Sequence, residues 1–411
     1  MIDHCAAPGL TPLDQALEQL LSSLKPLEET EVVAIEQALG RVIAQPVVSQ
    51  LNVPPADNSA MDGYALRADD AGENATLTLI GQSFAGHPFA GEVQAGQCVR
   101  IMTGAQVPAG ADAVIMQEQV SADGDQITLN RAVTAGNNVR VAGEDIAIGQ
   151  AVFEPGRCLR AADLGLLASL GIREITVVRR LRVAVLSTGD ELKKPGEPLA
   201  PGQFYESNGY TISAVLEKLD VEITNFGIVA DNLDALRSAF TQADELCDVV
   251  ITSGGVSVGE ADFVKNVLDE LGEIAFWKLA IKPGKPFAFG FLPNSVFIGL
   301  PGNPVSALVT MHQLAVPMLK TLTGQKVVKP LRIAATAGCR IKKAPGRTDF
   351  QRGIYQIDEQ GKMTVVTTGS QGSGVLTSMN AANCYIIIEQ QRGTVETGET
   401  VIVEPFDNIV S

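Results

Sequence analysis

The chain has 411 residues, 45% of them apolar and 19% charged, a globular composition too long for one ordinary core, so two to four domains are expected. Thirty-one basic against 47 acidic side chains leave a net charge of −16, which repels nucleic acid and anionic membranes, and the apolar runs are interrupted before they could span a bilayer. Six scattered cysteines (Cys5, Cys98, Cys158, Cys247, Cys339, Cys384) and three isolated histidines (His4, His87, His312) argue against a zinc site and suit reduced thiols in a cytoplasmic protein; the start "MIDHCAAPGL" has no basic or apolar leader region, so no secretory signal is expected.

In chain order, "TPLDQALEQLLSSL" predicts an amphipathic helix, with Thr11 as its cap, Pro12 in the first turn, and Leu13, Leu17, Leu20 and Leu21 on one face. The next run, "ETEVVAIEQALGRVIAQPVVS", is expected to continue as helix until its prolines. From about Leu51 glycine becomes frequent, helical spacing disappears, and "ATLTLIG", "CVRIM" and "DAVIMQEQV" predict short strands. "RAADLGLLASLGI" then restores helical periodicity. Residues 51–145 therefore read as a small β domain inserted into a helical, elongated domain built from residues 1–50 and 146–180.

Residues 181–326 alternate strand and helix: "LRVAVLSTG", "GYTISAVLEKLD", "VEITNFGIV", "NLDALRSAFTQADEL", "DVVITSGG", "FVKNVLDELG" and "SVFIGLPG" before a last helix. The helices should bury Ile212, Val215, Leu216 and Leu219 in one case and Leu233, Leu236, Phe240 and Ala243 in the other. Such alternation predicts a three-layer α/β/α domain with a mainly parallel sheet. Residues 327–411 return to strands and turns, read as a C-terminal β-barrel-like domain.

In an open parallel sheet, ligands sit outside the carboxyl ends of the strands. Those ends carry Thr188-Gly189-Asp190-Glu191, then Asp231, then Ser253-Gly254-Gly255 leading to Asp262, then Pro301-Gly302-Asn303-Pro304 with Ser306. "ITSGGVSVGEAD" places Gly254 and Gly259 as in a phosphate loop, yet continues Glu260-Ala261-Asp262 where a nucleotide-hydrolysing loop has Lys and Ser or Thr. Lys278, Lys282 and Lys285 lie close by in "WKLAIKPGKPF". Taken singly, Gly-Gly is also a tight turn, Asp231-Asn232 a helix cap, Asp190 and Glu191 first-turn acids, and the lysines a solvated loop. Together at one sheet edge they predict a site for an anionic ligand. Lysines would meet phosphate oxygens, and Glu191, Asp231 and Asp262 would need a bridging divalent cation such as Mg²⁺. No Ser/His/Asp set is apparent.

The runs "DNSAMDGYA", "RIMTGAQVPAGADAVIMQE", "GEDI", "VLSTGDEL", "TSGGVSVGEAD", "KLAIKPGKPFAFG", "LPGNPVSAL", "GRTDFQRG" and "GSQGSG", in that order, resemble the molybdopterin molybdenumtransferase family, to which the C-terminal module of gephyrin also belongs. The resemblance spans nearly the whole chain. It implies a transferase that takes adenylylated molybdopterin and molybdate, releases AMP with Mg²⁺, and places molybdenum on the dithiolene sulfurs. It implies that Asp62, Thr103 and Asp145 border the active cleft, and that Glu191, Asp231 and Asp262 form the acidic, cation-binding set. Asp62 and Asp145 thereby join the three acids as catalytic candidates. Pro301 and Pro304 would shape the adjoining loop, with Gly254 and Gly255 as a backbone cradle. Lys278, Lys282, Lys285, Ser306, Arg352 and Ser373 would hold the pterin phosphate or molybdate. The family further implies an elongated homodimer in which the inserted β domain of one subunit faces the sheet domain of the other. Its partners would be the enzyme that adenylylates molybdopterin and the apo molybdoenzymes that receive the cofactor. Family members often carry Asp-Ser/Thr-Asn where this chain has Glu206-Ser207-Asn208. Two other functions share parts of this pattern: the adenylylation step itself, which uses a similar "SGG" loop, and a non-catalytic scaffold.

Overall fold

Strand Arg182–Thr188 alternates its side chains between two cores, and this period of two organises the sheet it belongs to. Val183 and Val185 point into one core with Val249, Ile251 and Ile298; Ala184 and Leu186 point into the other with Val250 and Phe297. A sheet apolar on both faces needs helices on both, and it has them. Helices Leu13–Ser23, Asn208–Glu217 and the run from Pro304 to Leu322 cover one face; Leu233–Leu246 and Phe263–Leu271 cover the other. The computed structural model describes residues 9–255, 263–407 and 409–410.

The described residues fall into two compact units, one drawn from Met1–Glu31, Gly40–Val42 and Val177–Ser411, the other from Val32–Leu39 and Ile43–Thr176. In the first unit the six-stranded sheet has the order Glu222–Val229, Arg182–Thr188, Val249–Ser253, Val296–Leu300, Pro286–Phe291, Glu273–Lys278. The first four strands are parallel, and the last two add an antiparallel edge. The same unit contains a β-barrel. Strands Thr348–Ile357, Met363–Thr367, Ile333–Ala337, Thr400–Pro405 and Cys384–Ile388 pair in sequence, and the pairing of Cys384–Ile388 with Thr348–Ile357 closes the ring. The two-residue strand Ile281–Lys282 leaves the α/β layer and pairs in parallel with Thr348 and Asp349 of that barrel.

In the second unit a six-stranded sheet, ordered Ala113–Met116, Gly63–Leu66, Gln97–Ile101, Thr76–Ser83, Gln126–Leu129, Val120–Asp123, encloses Leu66, Leu77, Cys98, Ile115 and Ile127. Helix Ala161–Ser169 belongs to this unit as well.

Three local expectations are corrected. The run after the first helix is not helical: it forms strand Thr30–Ala34 and a single 3-10 turn, Ile35–Gln37, ending at Gly40 with φ +79. Adjacent β-branched Val32 and Val33 favour extended backbone, and the left-handed Gly40 stops any helix. Thr11 does not cap the first helix with its side chain; Pro12 occupies the cap position, while the Thr11 N–H donates to the Lys278 carbonyl and its carbonyl accepts from Ala280. Leu233 is exposed in its first helical turn, and the buried face of that helix instead carries Asp244, held by the Asn294 and Ser295 side chains.

Asp248 fixes the start of the central strand Val249–Ser253. It accepts hydrogen bonds from Arg179 at 2.7 and 2.9 Å, from the Arg182 guanidinium at 2.8 Å and from the Arg182 N–H at 2.8 Å. Burial alone would raise its pKa, but the two guanidinium groups outweigh burial and hold the carboxyl at about 2 against an ordinary 3.8. The folded state thus favours the charged form, so its stability contribution is full above the ordinary value and is lost as pH falls towards about 2. We expect Asp248→Asn to lower the unfolding free energy at neutral pH by about 2 kcal/mol. In denaturant titrations between pH 4 and 2, the gap between wild type and variant should close.

Candidate active site

A cleft of about 1060 Å³ opens at the carboxyl ends of the parallel strands, and all of its lining residues belong to the first unit. Thr188, Gly189 and Glu191 follow one strand, Asp231 the next, Ser253, Gly254 and Gly255 the third, and Pro301, Gly302, Asn303, Pro304 and Ser306 the fourth. Lys282, Lys285, Arg347, the loop Gln371–Gly374 with Ser373, and the segment from Phe204 to Asn208 also line it.

Gly189 is called for by its backbone conformation, and Gly254 and Gly255 by close packing as well. A Cβ on Gly189, at φ +148, would lie 2.7 Å from both Glu191 carboxylate oxygens. On Gly254 it would meet the Thr188 carbonyl at 2.6 Å, and on Gly255 the Val264 methyl at 2.3 Å. The Gly254 N–H donates to the Leu300 carbonyl at 3.1 Å, so this glycine spends its donor on the neighbouring strand. Gly254 and Gly255 shape the cleft floor by letting two strand ends approach each other.

The acids form a cluster. The Asp231 N–H donates to the Asp190 carboxylate at 3.3 Å, and half-buried Asp231 has its pKa raised, first by burial and then by the negative charges of Asp190 and Glu191. None of the three makes an ion pair with a described basic residue. The helix cap at this point is Asn232, whose side chain accepts from the Ala235 N–H at 2.9 Å, which leaves the Asp231 carboxylate to the cleft. Asp262 lies outside the described residues, and among the described residues no group of three His, Cys, Asp or Glu side chains is arranged to hold a metal ion. Uncompensated negative charge on Glu191 and Asp231 in a common cleft is nonetheless the chemistry that suits a hard divalent cation.

Opposite charges come from elsewhere in the unit. Lys282 Nζ donates to Asp349 at 3.3 Å; Asp349 is 2% exposed, while the lysine side chain keeps 45% of its surface. Lys285 is exposed, and Arg347 reaches the Ile281 carbonyl at 3.5 Å. Lys278 ends the antiparallel edge strand and does not line the cleft. Arg352 does not line it either. It is 0% exposed, with Nε donating to Ser378 at 3.0 Å and Nη2 to the Gly372 carbonyl at 3.1 Å, and burial lowers its pKa. Arg352 therefore holds the loop that carries Ser373.

Asp62, Thr103 and Asp145 belong to the second unit. Asp62 accepts from the Thr103 N–H at 2.7 Å and from its hydroxyl at 2.8 Å, and these bonds hold the exposed carboxyl below its ordinary range. Asp145 is exposed, with its N–H donating to Val53.

Glu206 has a defined task. It is buried, accepting from the Gly209 N–H at 2.6 Å, which closes the start of helix Asn208–Glu217, and from the Ser187 hydroxyl at 3.1 Å. Arg347 and Gln371 line the cleft and Asp349 holds Lys282, and spacing alone singles out none of them; Arg347 and Asp349 fall within "GRTDFQRG" and Gln371 within "GSQGSG".

Three family models cover the chain: MoeA N-terminal region (domain I and II) at residues 11–171, Probable molybdopterin binding domain at 184–321, and MoeA C-terminal region (domain IV) at 334–406. The chain is 50% identical over 400 residues to a molybdopterin molybdenumtransferase of Haemophilus influenzae, covering 97% of this chain and 99% of that protein. It is 33% identical over 413 residues to a molybdopterin molybdenumtransferase of Nostoc sp., covering 96% and 93%. The crystal structure of a molybdopterin biosynthesis moeA protein from Pyrococcus horikoshii superposes with a TM-score of 0.83 at 30% identity, over 97% of this chain and 100% of that one.

Because folding raises the Asp231 pKa, the unfolded chain binds fewer protons at that carboxyl, and stability falls as pH rises through the raised value. Asp231→Asn should therefore raise the thermal midpoint at pH 7 to 8. The gain should shrink as pH falls towards the ordinary 3.8, as scanning calorimetry across that range would register.

Proposed function

Because this chain belongs to the molybdopterin molybdenumtransferase family, whose enzymes place molybdenum on molybdopterin, we propose that its cleft takes adenylylated molybdopterin and molybdate and releases AMP as the metal is inserted. One observation carries the proposal: Glu191 and Asp231 on one side and Lys282, Lys285 and Arg347 on the other line a single cavity at the sheet's carboxyl edge. A ligand that suits both signs is a phosphate ester accompanied by a divalent cation.

Lys282 and Lys285 bind the phosphate oxygens as point charges, and Ser306 and Ser373 offer hydroxyls for phosphate or molybdate. Pro301 and Pro304 fix the loop between them. Mg²⁺ would be held by Glu191 and Asp231, with Asp262 as the third acid; when bound, it offsets the charge that develops as the phosphoanhydride opens. Water supplies the oxygen gained on cleavage. At the dithiolene, one molybdate oxide leaves as water, carrying the two thiol protons, as two sulfurs bind molybdenum. Arg352 acts through Gly372 on the position of Ser373. The family resemblance makes Asp62, Thr103 and Asp145 further active-site candidates, and the working form is a cytoplasmic homodimer, its dimeric state to be checked by light scattering.

Purified protein given adenylylated molybdopterin, Mg²⁺ and molybdate should release AMP and activate an apo molybdoenzyme. Absence of AMP sinks the proposed reaction, and AMP without usable cofactor sinks its molybdenum half. Asp231→Asn should reduce AMP release by roughly tenfold or more while leaving the fold intact. Millimolar Mg²⁺ should raise the thermal midpoint of wild type and leave that of Asp231→Asn unchanged, since a ligand stabilises only the state that binds it.

A further inference from the structure

Phe204 and Tyr205 stand in the lining of the cleft with 64% and 47% of their surface exposed. Both lie on a small two-stranded flap, where Leu192 pairs with Phe204 and Lys193 with Tyr205. The flap is hung from the acidic loop, since the Phe204 N–H donates to the Glu191 carbonyl and the Glu206 N–H to the Lys193 carbonyl, each at 2.8 Å. The Tyr205 hydroxyl donates to the Glu197 carbonyl at 2.8 Å, which fixes the tilt of the ring and leaves it half exposed. The next residue, Glu206, is buried at the start of a helix and pins the far end of the flap. Two exposed aromatic residues are thus held on an ordered backbone, tied to the Glu191 main chain and among the lining residues of the cavity that Lys282 and Lys285 share.

Exposed rings on a fixed backbone give up burial that they would gain in a core, and they offer π-faces to any planar ring that arrives. The lysines and carboxylates of the cleft suit phosphates, cations and the polar edge of a ligand, but they offer no ring face on which a flat heterocycle could stack. We infer that Phe204 and Tyr205 seat the planar nitrogen heterocycle of the substrate, purine or pterin, while its phosphates meet Lys282 and Lys285. This rests on the function proposed above. Stacking of this kind is tolerant of which heterocycle is present, because every such ring has a π-face.

Three probes separate the contributions: AMP, neopterin monophosphate, and ribose 5-phosphate, which carries the phosphate without a ring. Binding is followed by calorimetry for all three and by quenching of pterin fluorescence for the second, using full-length wild type, Phe204→Leu/Tyr205→Leu and Phe204→Trp. The double Leu variant should lose about tenfold or more in affinity for a ring-bearing probe, the scale expected on losing one stacked base, and should hold ribose 5-phosphate as wild type does. Phe204→Trp should keep ring binding and quenching. The probe that loses affinity identifies the seated ring. Equal affinity of wild type and the double Leu variant for AMP and the pterin overturns the inference and leaves the proposed function standing. Equal loss for all three probes, or a change of mass in light scattering, assigns the aromatics to cleft shape or to contact between copies and also overturns it. Wild type that binds neither ring better than ribose 5-phosphate overturns both the inference and the proposed substrate.

Discussion

The buried carboxylate of Asp349 sets the terms for the cleft. At 2% exposure it cannot rely on water, and it is held by Lys282 Nζ at 3.3 Å and Gln351 Nε2 at 3.1 Å. A buried charge without its partner is costly, and Lys282 from the α/β layer supplies the ion pair that reaches Asp349, beside the more distant Lys343 and Arg352. The backbone supplies it: Ile281–Lys282 adds to the barrel beside Thr348 and Asp349, and the Thr348 N–H donates to the Ala280 carbonyl at 2.8 Å. The same segment is tied to Thr11 at Ala280 and to itself where the Leu279 N–H meets the Lys285 carbonyl at 2.7 Å. Lys282 is therefore positioned by demands of folding, and its remaining exposed surface is what the cleft uses.

Strand order then distributes charge across the cavity. In the sequence Glu222–Val229, Arg182–Thr188, Val249–Ser253, Val296–Leu300, the first two strand ends bring Asp231 and Glu191, the third brings Gly254 and Gly255, and the fourth brings the Pro301–Pro304 loop towards the barrel. Acids gather at one side and the lysines arrive from the other, with uncharged glycine and proline backbone between. Had Lys282 stood next to Asp231, the two would neutralise each other and the raised Asp231 pKa would vanish. Separation keeps both charges available in a protein whose net charge of −16 offers phosphates little general attraction.

Much of this was legible in the chain. The continuous apolar runs "VAVL" and "VVIT" and the turn glycines after three of the four parallel strands follow from local chemistry and are present in the fold, and Glu191, Asp231, Lys282 and Lys285 line one cleft. What was not legible depends on contacts distant in sequence. Val32 and Val33 satisfy helical and extended spacing alike, and their strand appears only with tertiary structure. Lys278 and Lys282 look equivalent in "WKLAIKPGK", yet one ends an edge strand and the other joins the barrel. Asp231 and Asn232 are both competent caps; the choice of Asn232 rests on backbone direction after Val229. Glu206 differs from the usual Asp by one methylene, and only the positions of Gly209 and Ser187 give its carboxylate two partners.

Arg352 shows how a residue can serve the cleft without entering it. Its guanidinium is out of contact with solvent and is occupied by Ser378 and the Gly372 carbonyl, while its backbone N–H and carbonyl bind the Gln371 side chain at 2.8 and 3.1 Å. Both ends of the loop Gln371–Gly372 are thereby fixed from below. One residue further on, the Ser373 carbonyl accepts the Val305 N–H at 3.0 Å, linking the loop to the first turn of the helix that presents Ser306. A lysine at position 352 could not reproduce this pattern, because a single ammonium lacks the planar fork that bonds two separate groups at once. The arginine in this motif is explained by the loop it holds, which carries Ser373 into the cleft lining beside the helix of Ser306.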